Sequence, residues 1–264
     1  MRNEELTRRQ FLILHSSLLI LHSSFILYSS FSNMVDYTEP LPAANTGRLR
    51  LAQGVVLLFH VTGFLGMAFS QDPGFFLRFT PLTLVLTAGL LLWFQPGPRP
   101  GFWGFSLSVL LLGFVVEVVG VNTGLFFGHY TYGDTLGFKL FEHGSLLGMS
   151  LSGVPPLIGL NWLVLTYVCG ILVRYLPLGE LPRIVLAAVL MVGFDACLEP
   201  VAGRYDFWHW SANVIPFQNF RDWFIFSCIL QLLFSRADFP KRNPLAPMVC
   251  LTQLLFFFLL GTLK

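Results

Sequence analysis

The stretch Asp195-Ala196-Cys197-Leu198-Glu199-Pro200 sets two carboxyl groups at the end of an apolar segment, 181–199, that is long enough to cross a bilayer. A charge in such a segment costs roughly 2.5–3.5 kcal/mol on insertion scales, so acids found there usually have work to do. Asp195 and Glu199 are four residues apart and share a helical face. Pro200 disfavours the α conformation at Glu199, so the helix is expected to end there. Two neighbouring acids in a low dielectric cannot both ionise cheaply, and such a pair can divide into a proton donor and a proton acceptor. An ion pair with Arg204 or Arg221 is the plainer alternative.

Working outward, hydropathy gives about seven spans, near 51–69, 75–94, 102–121, 154–175, 181–199, 220–235 and 245–262. Pro and Gly mark the joints, as in Gln95-Pro96-Gly97-Pro98-Arg99-Pro100 and Leu176-Pro177-Leu178-Gly179. The expected fold is therefore all-α: a polytopic integral membrane protein whose single helical domain occupies 34–264. Composition agrees, since 55% of residues are hydrophobic and 11% charged, against roughly 25% charged in soluble proteins. The net charge of +2 comes with no basic stripe, which argues against a nucleic-acid partner. The four cysteines lie in apolar segments without metal or disulfide spacing.

Residues 1–33 read differently. Leu12-Ile13-Leu14-His15-Ser16-Ser17-Leu18 nearly recurs as Leu19-Ile20-Leu21-His22-Ser23-Ser24-Phe25. This low-complexity stretch is expected to lie outside the native fold, as the translation of a tandem DNA repeat upstream of a start at Met34. The N-terminal mass of the native protein checks that expectation.

With the N-terminus cytoplasmic, eight Lys and Arg residues flank the spans inside (Arg48, Arg50, Arg99, Arg174, Arg183, Arg236, Lys241, Arg242) and five outside (Arg78, Lys139, Arg204, Arg221, Lys264). The expected location is thus the inner (cytoplasmic) membrane, multi-pass, with the N-terminus inside. The third and fifth spans then both run outward. Glu117, Asp195 and Glu199 share the outer half, and the two long connections, 122–153 and 200–219, emerge beside them.

Glu117 sits in Val115-Val116-Glu117-Val118-Val119, too far into apolar sequence for a headgroup position. A structural hydrogen bond to a neighbouring helix accounts for it; so does a carboxyl withdrawn from water that retains a proton to donate. The loop Thr123-Gly124-Leu125-Phe126-Phe127-Gly128-His129-Tyr130-Thr131-Tyr132 alternates aromatics with glycine. It suits a lid over an apolar pocket or an interfacial belt. Trp208, Trp210 and Trp223 belong to a belt or offer π-faces to a cation, worth about 0.5–2 kcal/mol each. His60, His129, His143 and His209 show no HxxH, HxxxH or HExxH spacing, and no Asp-Asp-x-x-Asp motif occurs. No metal and no cofactor are expected.

The ordered set Glu117-x-x-Gly120-x-x-Thr123-Gly124-x-x-Phe127-Gly128-x-Tyr130-x-Tyr132, Val154-Pro155 with Asn161-Trp162, Asp195-x-x-x-Glu199-Pro200-Val201-Ala202, Trp208-x-Trp210 and Ile215-Pro216-x-x-Asn219-Phe220-x-x-Trp223 resembles the CruF-type carotenoid biosynthesis proteins over roughly 50–262. Arg221-Asp222 departs from the pattern, where uncharged residues are expected. The resemblance implies a carotenoid 1,2-hydratase or bisanhydrobacterioruberin hydratase, a lyase that adds water to the terminal double bond of an acyclic end group to give a tertiary alcohol. Its substrate would be an acyclic or monocyclic carotenoid, met in membrane lipid. On that reading Asp195 or Glu117 protonates the alkene, and Glu199 with the other acid holds water. Tyr130, Tyr132, Trp208 and Trp210 line the end-group pocket, Asn219 orients an oxygen, and Thr123, Phe127, Trp162 and Trp223 complete the substrate contacts. A proton-coupled transporter or lipid-binding protein, and a carotenoid end-group cyclase, are the competing classes.

Overall fold

The computed structural model describes residues 43–263, apart from 143, 147–148 and 212. The repeat before residue 34, and the start at Met34, lie outside the described residues. The helices are α1 (Ala43–Phe69), α2 (Pro73–Leu77), α3 (Thr80–Trp93), α4 (Pro100–Thr123), α5 (Leu157–Val173), α6 (Glu180–Ala202), α7 (Phe217–Arg236) and α8 (Ala246–Thr262). Prolines open several of them, since Pro at the first position lacks only an N–H that would have no helical partner. At the start of α2 the Asp72 side chain also accepts from the Phe75 N–H at 3.1 Å.

Among the described residues, four stretches are long and apolar enough to span a bilayer: Thr46–Phe69, Pro73–Trp93 (α2 and α3 together), Pro100–Thr123 and Glu180–Ala202. Helices α5 and α8 are shorter and apolar. Helix α7 carries Asn219, Arg221, Asp222 and Gln231 and is the most polar of the set. The result is an all-α membrane protein, with the helices where hydropathy predicts them. Its outer faces present large apolar side chains such as Leu107, Leu111, Val115, Val185 and Ile229, which suit lipid and not water.

Helix α5 is the centre of the bundle. Every residue from Trp162 to Ile171 is buried, and α3, α4, α6, α7 and α8 all pack on it. Its approach to α4 depends on two glycines. A Cβ on Gly113 would meet the Trp162 side chain at 2.6 Å, and one on Gly159 would meet the Leu110 carbonyl at 2.4 Å. Small residues at such points let two membrane helices touch backbone to backbone.

Helix α6 does not end at Glu199. It passes through Pro200 and stops at Ala202, which corrects the expected boundary. The proline removes one main-chain donor within the last turn, a small loss against the packing of α6 on α7 and α8. Helix α4 ends at Gly124, whose φ of 67° is the left-handed conformation that glycine adopts without strain.

The long connections meet in a two-stranded antiparallel ribbon. Strand β1 (Tyr130–Tyr132) pairs with β4 (Trp208–Trp210), in the register Tyr130↔Trp210, Thr131↔His209, Tyr132↔Trp208. A second small pair, β2 (Ser145–Leu146) and β3 (Met149–Ser150), lies within the first connection. The β1–β4 ribbon lies where the C-terminal ends of α4 and α6 emerge together.

Candidate active site

Glu117 lies six residues, about 9 Å, before the end of α4, and Asp195 seven residues, about 10 Å, before the end of α6. Both are buried at similar depth. Glu117 Oε2 accepts from the Tyr130 and Tyr132 hydroxyls, the latter at 2.7 Å, and Oε1 accepts from Trp162 Nε1 at 2.8 Å. The alternation of β1 points both tyrosines at this one oxygen. An indole N–H can only donate, so Glu117 Oε1 acts as an acceptor toward Trp162.

Asp195 is built differently. Its Oδ2 accepts from Asn219 Nδ2 at 2.7 Å, while its Oδ1 is buried and has no hydrogen-bond partner. Asn219 Nδ2 also reaches Glu199 Oε1 at 3.2 Å, and Glu199 Oε2 accepts from Trp210 Nε1 at 2.8 Å and more weakly from Trp208 Nε1 at 3.4 Å. The ion pairs weighed from sequence do not form. Arg204 donates to the carbonyls of Leu260 and Leu263, and Arg221 pairs with Asp222.

Two cavities meet at Asp195. A polar one of about 20 Å³ is lined by the three acids, Tyr130, Tyr132, Phe127, Trp210 and Asn219, among others. An apolar groove of about 440 Å³ runs from there between α1, α2–α3, α5, α6 and α8. Ile158, Asn161, Asp195, Trp208 and Trp223 border both. The groove opens on the flank of the bundle, where Leu58, Phe75 and Phe79 line it and are also exposed. Deeper in, His60 donates through Nδ1 to the Val56 carbonyl at 2.8 Å, and Gln253 leaves its Oε1 without a partner.

Burial, followed by the nearby Glu117 carboxyl, holds the Tyr130 and Tyr132 phenols well above the ordinary tyrosine range. Both therefore remain donors at any physiological pH.

Of the residues singled out from sequence, Glu117, Phe127, Tyr130, Tyr132, Asp195, Glu199, Trp208, Trp210, Asn219 and Trp223 line the two cavities. Trp162 lines neither; it is fully buried, stacked on Trp223 at 4.0 Å, and holds Glu117. Thr123 is apart from the site, its hydroxyl donating to the Val119 carbonyl at 2.6 Å. The sequence did not single out Asn161 as a site residue or explain Asp222. Asp222 is buried and its Oδ2 accepts from the Phe127 N–H at 3.0 Å, which anchors the aromatic loop to α7. Among the described residues, no three His, Cys, Asp or Glu side chains are grouped to hold a metal ion.

Residues 80–263, which include the three acids and every aromatic of the polar cavity, match the family described as carotenoid biosynthesis protein. This chain belongs to the carotenoid biosynthesis protein family. One similar relative is the bisanhydrobacterioruberin hydratase of Haloarcula japonica, 30% identical over 223 residues, covering 80% of this chain and 71% of that protein. No solved structure matches the chain. Membership supports a carotenoid-modifying role. The groove's α1 wall, with His60 and Gly63, precedes the matched region.

Proposed function

We propose that this protein is a carotenoid hydratase, which adds water to the terminal C1=C2 double bond of an acyclic carotenoid end. The observation that carries the reading is the unpartnered Oδ1 of Asp195 at the junction of the apolar groove and the polar cavity. A groove of this composition suits a polyene, and its flank opening suits a substrate dissolved in the bilayer.

The steps follow from the residues. Asp195, protonated, transfers its proton from Oδ1 to C2, and the alkene's π electrons form the new C–H bond. The tertiary cation left at C1 faces the rings of Trp208 and Trp223. A water oxygen attacks C1, the resulting oxonium loses a proton to Glu199, and that proton returns to Asp195. Alkene and water become a tertiary alcohol, with every proton restored. Glu117, pinned by three donors, keeps negative charge near the cation without consuming it. The distribution of Lys and Arg supports an inside N-terminus, which sets this chemistry in the outer half of the membrane.

The test is expression of the chain in cells that accumulate lycopene or a monocyclic carotene. The expected result is pigment heavier by one water per open end. A ring product of unchanged mass would replace hydration with cyclisation, and unaltered pigment would favour a transporter.

A further inference from the structure

Protonation alone does not make a hydratase. A cation of this kind collapses to a ring or back to an alkene unless water is already held beside it. We infer that Asn161 is the positioning residue that holds the attacking water, at the point where the polar cavity opens into the groove. This inference rests on the hydratase reading and adds to it the residue that decides the fate of the cation.

Three observations converge. The side chains of Ile158, Asn161 and Leu165 follow one face of α5 and line the groove, while the adjacent Trp162 turns away to Glu117. Asn161 is the polar member of that row, and it borders both cavities together with Asp195. Second, the phenol hydroxyls, the Asn219 NH2 and the Trp208 and Trp210 indoles all donate to the surrounding carboxylates. The Asn161 carboxamide forms none among the described residues, and neither does Asp195 Oδ1. Third, the polar cavity measures about 20 Å³. A water needs at least about 10–15 Å³ on this measure and two to four polar partners, so the space suits one molecule and hardly a second.

A carboxamide is the right group for this task. Its carbonyl accepts one water hydrogen, which turns an oxygen lone pair toward the cation, and it carries no charge to compete with Asp195 or trap the cation covalently. As the water attacks C1 the second hydrogen leaves toward Glu199, so Asn161 neither gains nor loses a proton.

The experiment follows deuterium. Membranes containing the full chain are supplied with an acyclic carotenoid in D2O, and recovered pigments are analysed by mass. In the native protein, hydrated product dominates. In Asn161→Leu, hydration should fall about ten-fold or more, the scale of one lost hydrogen bond at a buried polar group. Deuterium should then enter the unhydrated or cyclised pigment, because Asp195 still delivers a deuteron and the cation returns a proton from a neighbouring carbon. Asn161→Ser should recover hydration relative to Asn161→Ala, a comparison that also serves if the leucine variant fails to fold. Loss of hydration without deuterium exchange would reduce Asn161 to a structural part and overturn the inference, as would undiminished hydration. Asp195→Asn should lose hydration and exchange together. A native protein that shows neither would instead sink the hydratase reading, and this inference with it.

Discussion

Asp195 and Glu199 share one amide group: Asn219 Nδ2 donates to Asp195 Oδ2 at 2.7 Å and to Glu199 Oε1 at 3.2 Å. The two carboxyls are thereby held within two hydrogen-bond lengths of each other, one facing the groove and the other facing the tryptophans.

Replacing that bridge is the first prediction. Asn219→Leu removes both bonds and leaves two buried acids to repel each other or share a proton directly. Hydrogen bonds to charged groups are worth about 1.5–3 kcal/mol, so turnover should fall about 10- to 100-fold. Turnover per folded protein in membranes measures it; activity within two-fold of native would remove Asn219 from the arrangement.

Glu117 separates charge from shape. In Glu117→Gln the new amide can still accept from Trp162, and the two phenols can rotate to accept from its NH2. The variant should fold and melt near the native temperature while hydration drops. Glu117→Leu strands three buried donors at about 1–3 kcal/mol each and should lower the melting temperature clearly. Equal stability of the two variants, followed by thermal denaturation in detergent, would show that the three donors do not hold the site.

Much of this was legible in sequence because membrane helices announce themselves. Apolar runs bounded by proline located the helices, four of them long enough to span a bilayer, and the depth of Glu117 and Asp195 within theirs put the acids near the ends of α4 and α6. What sequence could not supply was pairing across space. The ribbon that sets Tyr130 opposite Trp210 joins loops eighty residues apart, and nothing local in either specifies the other. Trp162 read as a substrate contact because an indole on an apolar helix offers no sign of whether its N–H meets a ligand or an acid on the next helix. Asp222 read as a misplaced charge, since its partner, the Phe127 N–H, belongs to a residue held at φ 65° by the folded loop. Asn161 did leave a signal, a lone amide three residues from Ile158 and four from Leu165, but only the groove shows which face of α5 that row occupies.

The groove itself can be narrowed. Gly63 lines it, and a Cβ there would meet Phe256 only at an ordinary 3.7 Å, so a larger side chain has room to enter the groove without disturbing the backbone. Gly63→Phe should displace part of the polyene while leaving the acids untouched. Losing the burial of two CH2 groups, at about 0.8 kcal/mol each, weakens binding by about ten-fold. KM for pigment should rise with kcat little changed, and less pigment should co-purify. A fall in kcat alone would place the substrate elsewhere.

Alkaline pH tests the two phenols. Free tyrosine ionises near pH 10, whereas burial and then the Glu117 carboxyl push Tyr130 and Tyr132 well above that value. A raised folded value means that the stability these phenols contribute is complete below about pH 10 and is lost as pH climbs toward the folded value, because the unfolded chain sheds its phenol protons first. Tyr130 and Tyr132 should therefore be among the tyrosines that stay silent in an ultraviolet titration through the range where free tyrosine ionises, and titrate only as the protein unfolds. The double variant Tyr130→Phe, Tyr132→Phe should lose two such silent groups and show a flatter decline of stability on the alkaline side. Ionisation of both phenols near pH 10 in the folded protein would mean that water reaches the polar cavity freely, and a carbocation formed beside Asp195 would then need no residue to hold its water.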